Sequence, residues 1–140
     1  MKVSLLIEER EIDAVVPVLL QLRPQYNHET LKSQIIKQLK NGYQVAYLTS
    51  DDSVICVAGF YVSESLAWKK HVYVDDLVTS ENSRSLGAGR AMIDWLKQFA
   101  KKAGCEQLHL DSGVQRFAAH RFYLREGFDI TSHHFALCQL

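Results

Sequence analysis

The sequence predicts a single mixed α/β (α+β) domain over residues 1–140, and three observations carry that prediction. Segments of strand and helix periodicity alternate along the whole chain, with no repeat, low-complexity tract or linker between them. A strand, a glycine-containing turn and a long amphipathic helix follow one another from Val72 to Ala103. A composition of 47% hydrophobic and 23% charged residues is ordinary for one globular domain of this length.

The N-terminal third is predicted to form one strand and two helices. Alternating apolar residues indicate a strand at Lys2–Glu8. Apolar residues at helical spacing begin at Ile12, and this helix ends at Arg23-Pro24 because the residue before a proline avoids helical geometry. A second helix is predicted for Thr30–Lys40, ended by Asn41-Gly42.

Three antiparallel strands are predicted next. Tyr43–Thr49 and Val54–Val62 are joined by the polar turn Ser50-Asp51-Asp52-Ser53, which is typical of a hairpin. Lys69–Thr79 continues the meander as a third strand, rich in β-branched and aromatic residues.

The last third is predicted to return through a long helix, Gly87–Ala103, to a strand at Glu106–Asp111. This crossover implies that the strands ending at Thr79 and containing Leu108 lie parallel and adjacent. A short helix, Ala118–Glu126, follows and stops at Gly127. Two closing strands are expected at 128–130 and 133–138.

Charge and hydropathy exclude several classes of function. Sixteen basic residues balance sixteen acidic ones, so bulk charge gives no argument for nucleic acid or an anionic membrane as partner. No apolar run approaches the roughly 18 residues of a membrane span, and the N-terminus turns acidic too early for a signal peptide. We expect a cytoplasmic protein. The widely spaced cysteines Cys56, Cys105 and Cys138 are expected to be reduced and mostly buried, and no metal site is predicted.

The turn after the strand ending at Thr79 is predicted to bind an anion. Glycines let the backbone approach a phosphate, and the first amides of the following helix have no partner within the helix. Arg84 and Arg90 add positive charge beside Gly87 and Gly89. The segment is neither a Gly-x-x-x-x-Gly-Lys-Ser/Thr nucleotide loop nor a Gly-x-Gly-x-x-Gly dinucleotide turn.

Two motifs in order indicate a family. Arg84, Gly87 and Gly89 form Arg-x-x-Gly-x-Gly, and Ala119, Phe122, Tyr123, Gly127 and Phe128 reproduce Ala-x-x-Phe-Tyr-x-x-x-Gly-Phe. Together, with a helix and a strand between them, they resemble the GNAT superfamily of N-acetyltransferases over about half the chain. The resemblance implies a central, mostly antiparallel mixed sheet of six to seven strands. About four helices would flank it, and one parallel strand pair would splay apart.

The same resemblance implies acetyl-CoA as cofactor and assigns residues to it. The strand backbone at Leu77, Val78 and Thr79 would pair with the pantetheine amides as though the cofactor were another strand. The remaining cofactor residues that the resemblance implies are Arg84, Ser85, Leu86, Gly87, Ala88, Gly89, Arg90, Ser112, Arg116, Ala119, Phe122 and Tyr123. Arg116 stands where the family often has asparagine, and it could reach a phosphate or face water.

Three residues are the candidates for catalysis under this resemblance. The Val78 amide would donate to the thioester oxygen, and Tyr123 would protonate the leaving thiolate or else be a core tyrosine. Asp75 matches the position of the family's general base, and it could equally be structural or orient the substrate. Its neighbour Asp76 would face away from Asp75 on a regular strand and support the fold.

The resemblance implies an acceptor pocket built from the first two helices and the final strands. An amine, on a small molecule or a peptide, is the implied acceptor, and a homodimer is common in the family. The candidate substrate residues are Tyr26, His28, Glu29, Trp68, Asp75, Asp76 and His134. Two other functions stay open, an acyl-CoA-binding sensor without catalysis and a nucleotide-binding or nucleic-acid module, although the second would leave the Tyr123 motif unexplained.

Overall fold

A computed structural model describes residues 1–84 and 86–140. The chain divides into two compact units, Met1–Leu110 and Asp111–Leu140, and each is described by itself. Within the described residues there are four α-helices and five strands. None of these helices is long and apolar enough to cross a membrane.

The first unit is a mixed sheet whose strands lie side by side in chain order. The strands are β1 (Lys2–Leu5), β2 (Gln44–Ser50), β3 (Ser53–Ser65), β4 (Lys69–Thr79) and β5 (Gln107–Leu110). All neighbours are antiparallel except β4 and β5, which are parallel. The predicted parallel pair and the hairpin are therefore confirmed, and positive φ angles at Asp51 and Asp52 form the hairpin turn.

Helices cover both faces of this sheet. Helix α1 (Ile12–Leu22) and helix α2 (His28–Leu39) bury their apolar residues with Val45, Val57 and Val78. Helix α3 (Ala88–Lys102) packs its rings Trp95 and Phe99 against Phe60. Val57 and Phe60 point to opposite faces because successive side chains alternate along a strand. Both helix layers thus anchor the central strands β3 and β4.

Local sequence explains the ends of these helices. Asn27 Oδ1 accepts from the Thr30 amide and the Thr30 hydroxyl accepts from the Asn27 amide, a reciprocal cap that starts α2 earlier than predicted. Helix α1 ends at Leu22, and the Arg23 amide still donates to the Leu19 carbonyl. The prediction that Arg23-Pro24 closes this helix is confirmed.

The second unit contains helix α4 (Phe117–Arg125), close to its predicted bounds. The strands predicted for 128–130 and 133–138 are absent from the described residues, so the sheet has five strands rather than six to seven. Alternation is a local pattern, whereas a strand also needs a neighbouring backbone to bond with. The first strand is also shorter than predicted, because the Ile7 and Glu8 amides donate to Glu11 Oε1 rather than to β2.

Of the three cysteines, Cys56 is buried, Cys105 is half-buried and Cys138 is exposed, all as free thiols. The expectation of mostly buried thiols was therefore wrong for two of them. Burial raises the pKa of the Cys56 thiol to about 11. No cluster of metal-ligating side chains occurs among residues 1–84 and 86–140.

Candidate active site

Strand β4 has one edge that is paired over only part of its length. On the β5 side, His71 to Val74 pair with Gln107 to Leu110. Strand β5 ends there, and β4 continues from Asp75 to Thr79 without a β5 partner. A splayed parallel pair was predicted, and within the first unit this end of β4 has the open backbone edge that a strand-like ligand needs.

A β-bulge at Asp75 separates the two parts of β4. Gly59 on β3 is opposite Asp76, and Phe60 is opposite Val74, so Asp75 is the extra residue that forms the bulge. A bulge bends a strand and interrupts the alternation of its side chains. Asp75 and Asp76 accordingly line one pocket. The expectation that only one of them could face a site fails for this reason.

The bulge also changes which amides face the open edge. Before it, the Glu106 amide donates to the Lys70 carbonyl, so the backbone of Lys70, Val72 and Val74 faces β5. Beyond it, the Ser80 amide donates to the Ile55 carbonyl on β3. Along a strand, the N–H and C=O groups of successive residues face opposite edges. Counting back from Ser80, the backbone groups of Val78 therefore face β3, and the backbone groups of Leu77 and Thr79 face the open edge.

This geometry corrects the expected role of Val78. Its amide is committed to the β3 ladder opposite Val57, and its side chain is 9% exposed in the core. An amide that bonds within the sheet is not available to a thioester oxygen. The structure instead turns the Leu77 and Thr79 amides outward, both of which belong to the predicted cofactor set.

The start of α3 follows this edge along the chain. Gly87 is the N-cap residue with φ +81°, a left-handed conformation that favours glycine, and a Cβ there would have no atom within 4 Å. Among the described residues no side chain caps α3, and its first turn carries no acidic residue, whereas the first turns of α1 and α2 each carry one. The backbone here is open and electropositive, so these residues fit a phosphate group.

The other predicted cofactor residues in the first unit surround this turn. Arg84, Leu86 and Arg90 are exposed, whereas Ala88 is 2% exposed and Gly89 is half-buried. Ser85 lies outside the described residues.

An ionic cluster holds the bulge from the other side. Arg23 Nε and Nη2 each lie 2.9 Å from Asp76 Oδ1, and Nη2 also donates to the Asp75 carbonyl at 2.9 Å. The Tyr43 hydroxyl donates to Asp76 Oδ2 at 2.6 Å. Burial, together with the charge of Asp76, raises the pKa of Tyr43 well above its ordinary value, so Tyr43 remains a neutral donor.

The position of Tyr43 depends on Gly59. A Cβ at residue 59 would lie 1.6 Å from Tyr43 Oη, so only glycine leaves room for the phenol above this part of β3. Gly59 is the residue opposite Asp76 in the ladder. The absence of one side chain on β3 therefore allows Tyr43 to reach the carboxylate beside the bulge.

A pocket of about 220 Å³ opens between α1, α2 and β4. It includes three predicted residues, Tyr26, Asp75 and Asp76. The rest of its lining is not predicted from the sequence and consists of Leu19, Arg23, Gln25, Leu31, Gln34, Ile35, Gln38 and Tyr43. No sequence pattern identifies these residues as part of a site, because the sequence predicts for them only positions within helices, the end of a helix and the start of a strand.

Three other predicted substrate residues in the first unit lie elsewhere. His28 Nε2 is 2.9 Å from Asp13 Oδ1, and Glu29 is exposed in the first turn of α2. Trp68 stacks on His109 with ring centroids 3.7 Å apart. None of them is in the lining of the described pocket.

The second unit holds the remaining predicted residues. Tyr123 lies on α4 with its ring 5.4 Å from Phe122 and 5.7 Å from Phe128. Ala119 is half-buried on α4, and Arg116 is the exposed N-cap residue of this helix. The Ser112 hydroxyl is buried and has no hydrogen-bond partner within the described residues. His134 Nδ1 lies 3.3 Å from Asp111 Oδ2.

Comparison with known proteins agrees with this architecture. The sequence profile of the acetyltransferase (GNAT) family matches residues 13–128. A Bacillus subtilis (strain 168) protein described as the uncharacterized N-acetyltransferase YhdJ is 32% identical over 121 residues, 85% of each chain. An aminoalkylphosphonate N-acetyltransferase of Salmonella typhimurium (strain LT2) is 36% identical over 55 residues, 39% of this chain and 36% of that protein.

Among solved structures, an aminoglycoside N-acetyltransferase in complex with CoA superposes with a TM-score of 0.83. The sequence identity is 12%, and the match covers 99% of this chain and 95% of that one. At this identity the likeness concerns the fold alone.

Proposed function

Because the chain belongs to the acetyltransferase (GNAT) family, we propose that it moves an acetyl group from acetyl-CoA to a primary amine. The observation that carries this proposal is the edge of β4 beyond the bulge, open within the first unit, followed along the chain by a start of α3 that no described side chain caps. One feature suits a chain of amides, and the other suits a diphosphate. The Salmonella relative acts, by its name, on aminoalkylphosphonates, which also supports an amine acceptor.

Acetyl-CoA supplies an acetyl thioester, and residues of this chain hold it. The outward backbone groups of Leu77 and Thr79 bond the pantetheine amides, and the amides of Ala88, Gly89 and Arg90 bind the diphosphate. Arg84 and Arg90 add positive charge. The resemblance adds Ser85, Leu86, Ser112, Arg116, Ala119 and Phe122 to the cofactor contacts. The buried Ser112 hydroxyl, which has no hydrogen-bond partner among the residues that the structure describes, supports such a contact.

Acetyl transfer then requires one bond to form and one to break. The amine nitrogen bonds to the acetyl carbon while the carbon–sulfur bond breaks, and no covalent enzyme intermediate is needed. Asp75 accepts the proton lost by the amine, through a water because its side chain is short. The outward Leu77 amide donates to the thioester oxygen as that oxygen gains charge. Tyr123 donates a proton to the departing sulfur.

A second function, an acyl-CoA-binding sensor without catalysis, is distinguished by the variant Tyr123→Phe. An enzyme should lose at least about 10²-fold in kcat while its affinity for CoA, measured by calorimetry, is unchanged. Tyr47→Phe, which alters a half-buried tyrosine of β2 whose hydroxyl bonds Glu11 outside the pocket lining, is the matched control and should keep its activity. Wild-type protein that binds CoA but releases none with any amine would establish the sensor instead.

A further inference from the structure

The pocket between α1, α2 and β4 carries an inference about the acceptor, which rests on the proposed function. We propose that it binds a small primary amine whose other end is an uncharged hydrogen-bonding group, and that it rejects amines with an anionic end. Asp75 lines this pocket, so a ligand nitrogen there lies beside the residue proposed to take its proton. The kind of ligand that this pocket binds depends on how its charged and neutral groups are partnered.

Arg23 is the sole positively charged residue in the described lining, and Asp76 already offsets its charge. Two of its nitrogens lie 2.9 Å from one Asp76 oxygen, and Tyr43 donates to the other oxygen. The Asp76 side chain is 15% exposed and that of Arg23 is 39% exposed, so the pair is only partly screened by water. A phosphonate or carboxylate entering the pocket would meet a cation that is already paired, next to two aspartates.

Apart from Arg23, Asp75 and Asp76, the polar groups of the pocket lining are neutral. Gln34 donates its Nε2 to Gln38 Oε1 at 2.9 Å, which leaves the Gln34 oxygen as an acceptor. Gln25 is exposed and Tyr26 is half-buried at the same pocket, each with a neutral polar end. The buried residues Leu19, Leu31 and Ile35 supply apolar surface. This lining suits a short methylene stem that ends in a hydroxyl or an amide.

The size of the pocket sets an upper limit on the ligand. Its volume of about 220 Å³ is below the roughly 300–1,000 Å³ typical of sites for drug-sized ligands. A small amine fits such a volume.

The direct experiment compares β-alaninamide with β-alanine as acceptors for the wild-type chain. The two have the same skeleton and differ in whether the distal end is an amide or a carboxylate. Rates of CoA release, expressed per concentration of unprotonated amine, should favour β-alaninamide in kcat/KM by about tenfold or more. An equal or higher kcat/KM for β-alanine overturns the inference.

Two substitutions should change the ratio of kcat/KM for β-alaninamide to kcat/KM for β-alanine, in opposite directions. Asp76→Asn keeps an acceptor for Tyr43 but removes the charge that offsets Arg23, so the preference for β-alaninamide should shrink by about tenfold. Arg23→Gln removes the cation and should increase the preference. Each ratio is taken within one variant, so a general loss of activity cancels. Ser33→Ala, on an exposed position of α2, is the control and should leave the ratio unchanged.

The outcomes separate this inference from the proposed function. Acetylation of other amines, with β-alanine preferred over β-alaninamide or neither used, refutes the acceptor class but not the acetyltransferase. CoA binding without acetylation of any amine refutes both. A ratio that does not respond to Asp76→Asn or Arg23→Gln, in variants whose melting curves show a folded protein, refutes the role of this ion pair.

Discussion

The two parts of β4 are built from similar residues yet have different environments. From His71 to Val74 the strand lies between β3 and β5 and bonds to both. From Leu77 to Thr79 it bonds to β3 and to no other strand of the described sheet. The first part is ordinary sheet interior, with a neighbouring strand on each side. The second part keeps one side chain, that of Val78, in the core while one row of amides remains available.

One inserted residue produces the difference. If β4 had no bulge at Asp75, alternation from Lys70 would turn the Val78 backbone toward the open edge. Because the bulge is present, the backbones of Leu77 and Thr79 face that edge instead. Arg23 bonds the Asp75 carbonyl, and Tyr43 and Arg23 hold Asp76 beside it. The site therefore depends on the register of a backbone as much as on the identity of its side chains.

The largest effect is expected from proline at the outward amide. Leu77→Pro removes an N–H that is not hydrogen-bonded to another strand of the described sheet, so the fold should survive. The kcat should fall by about 10²–10³-fold, because a hydrogen-bond donor to the thioester oxygen is lost. Val78→Pro removes an amide of the β3 ladder and should instead destabilise the protein. Steady-state kinetics and thermal melting of both variants make the test. A Leu77→Pro enzyme with normal kcat would show that the two parts of β4 are assigned wrongly.

Gly59→Ala should damage the junction between the two parts. The new Cβ would overlap Tyr43 Oη, and moving the ring away from Asp76 should cost about 1–3 kcal/mol of unfolding free energy. Denaturation by urea measures this cost. Combining Gly59→Ala with Tyr43→Ala should recover part of it, because the clash is then gone. Costs that simply add would mean that Tyr43 and residue 59 do not compete for space.

Gly87→Ala should separate backbone strain from cofactor binding. Gly87 and Gly127 both have positive φ, and a Cβ at either would meet nothing within 4 Å. Each alanine variant should therefore lose about 1 kcal/mol of stability from the left-handed conformation. Only Gly87→Ala, next to the proposed diphosphate site, should also weaken CoA binding in calorimetry. Equal loss of CoA affinity in both variants would contradict that placement.

The smallest effect is a loss of stability at alkaline pH. The pKa of Tyr43 lies well above its ordinary value in the folded chain, whereas in the unfolded chain it is about 10. Above that pH the unfolded state binds fewer protons than the folded state, so the free energy of unfolding should decrease as pH rises. Melting temperatures measured from pH 8 to 11 should fall less steeply for Tyr43→Phe. If the plots of melting temperature against pH were parallel for the wild type and Tyr43→Phe, Tyr43 would not contribute to the loss of stability at alkaline pH.

The sequence was sufficient for most of the architecture and for less of the site. Periodicity located all four helices, β2 to β5 and the parallel crossover, because amphipathic segments have to bury their apolar faces. It overestimated the sheet at residues 128–140, where pairing decides the outcome. The bulge could not be predicted, since Asp75 is an extra residue only relative to Gly59 and Phe60 on another strand. The ion pair between Arg23 and Asp76 joins residues 53 positions apart for the same reason.

The central claim is that CoA pairs with the outward backbone of β4 beyond the bulge. Amide resonances of Leu77, Val78 and Thr79, followed by nuclear magnetic resonance and hydrogen exchange with and without CoA, test it residue by residue. We predict that the Leu77 and Thr79 amides exchange rapidly in the free protein and become protected by CoA. The Val78 amide should be protected in both states. Protection of Val78 only after CoA is added, with Leu77 and Thr79 unchanged, would contradict the account.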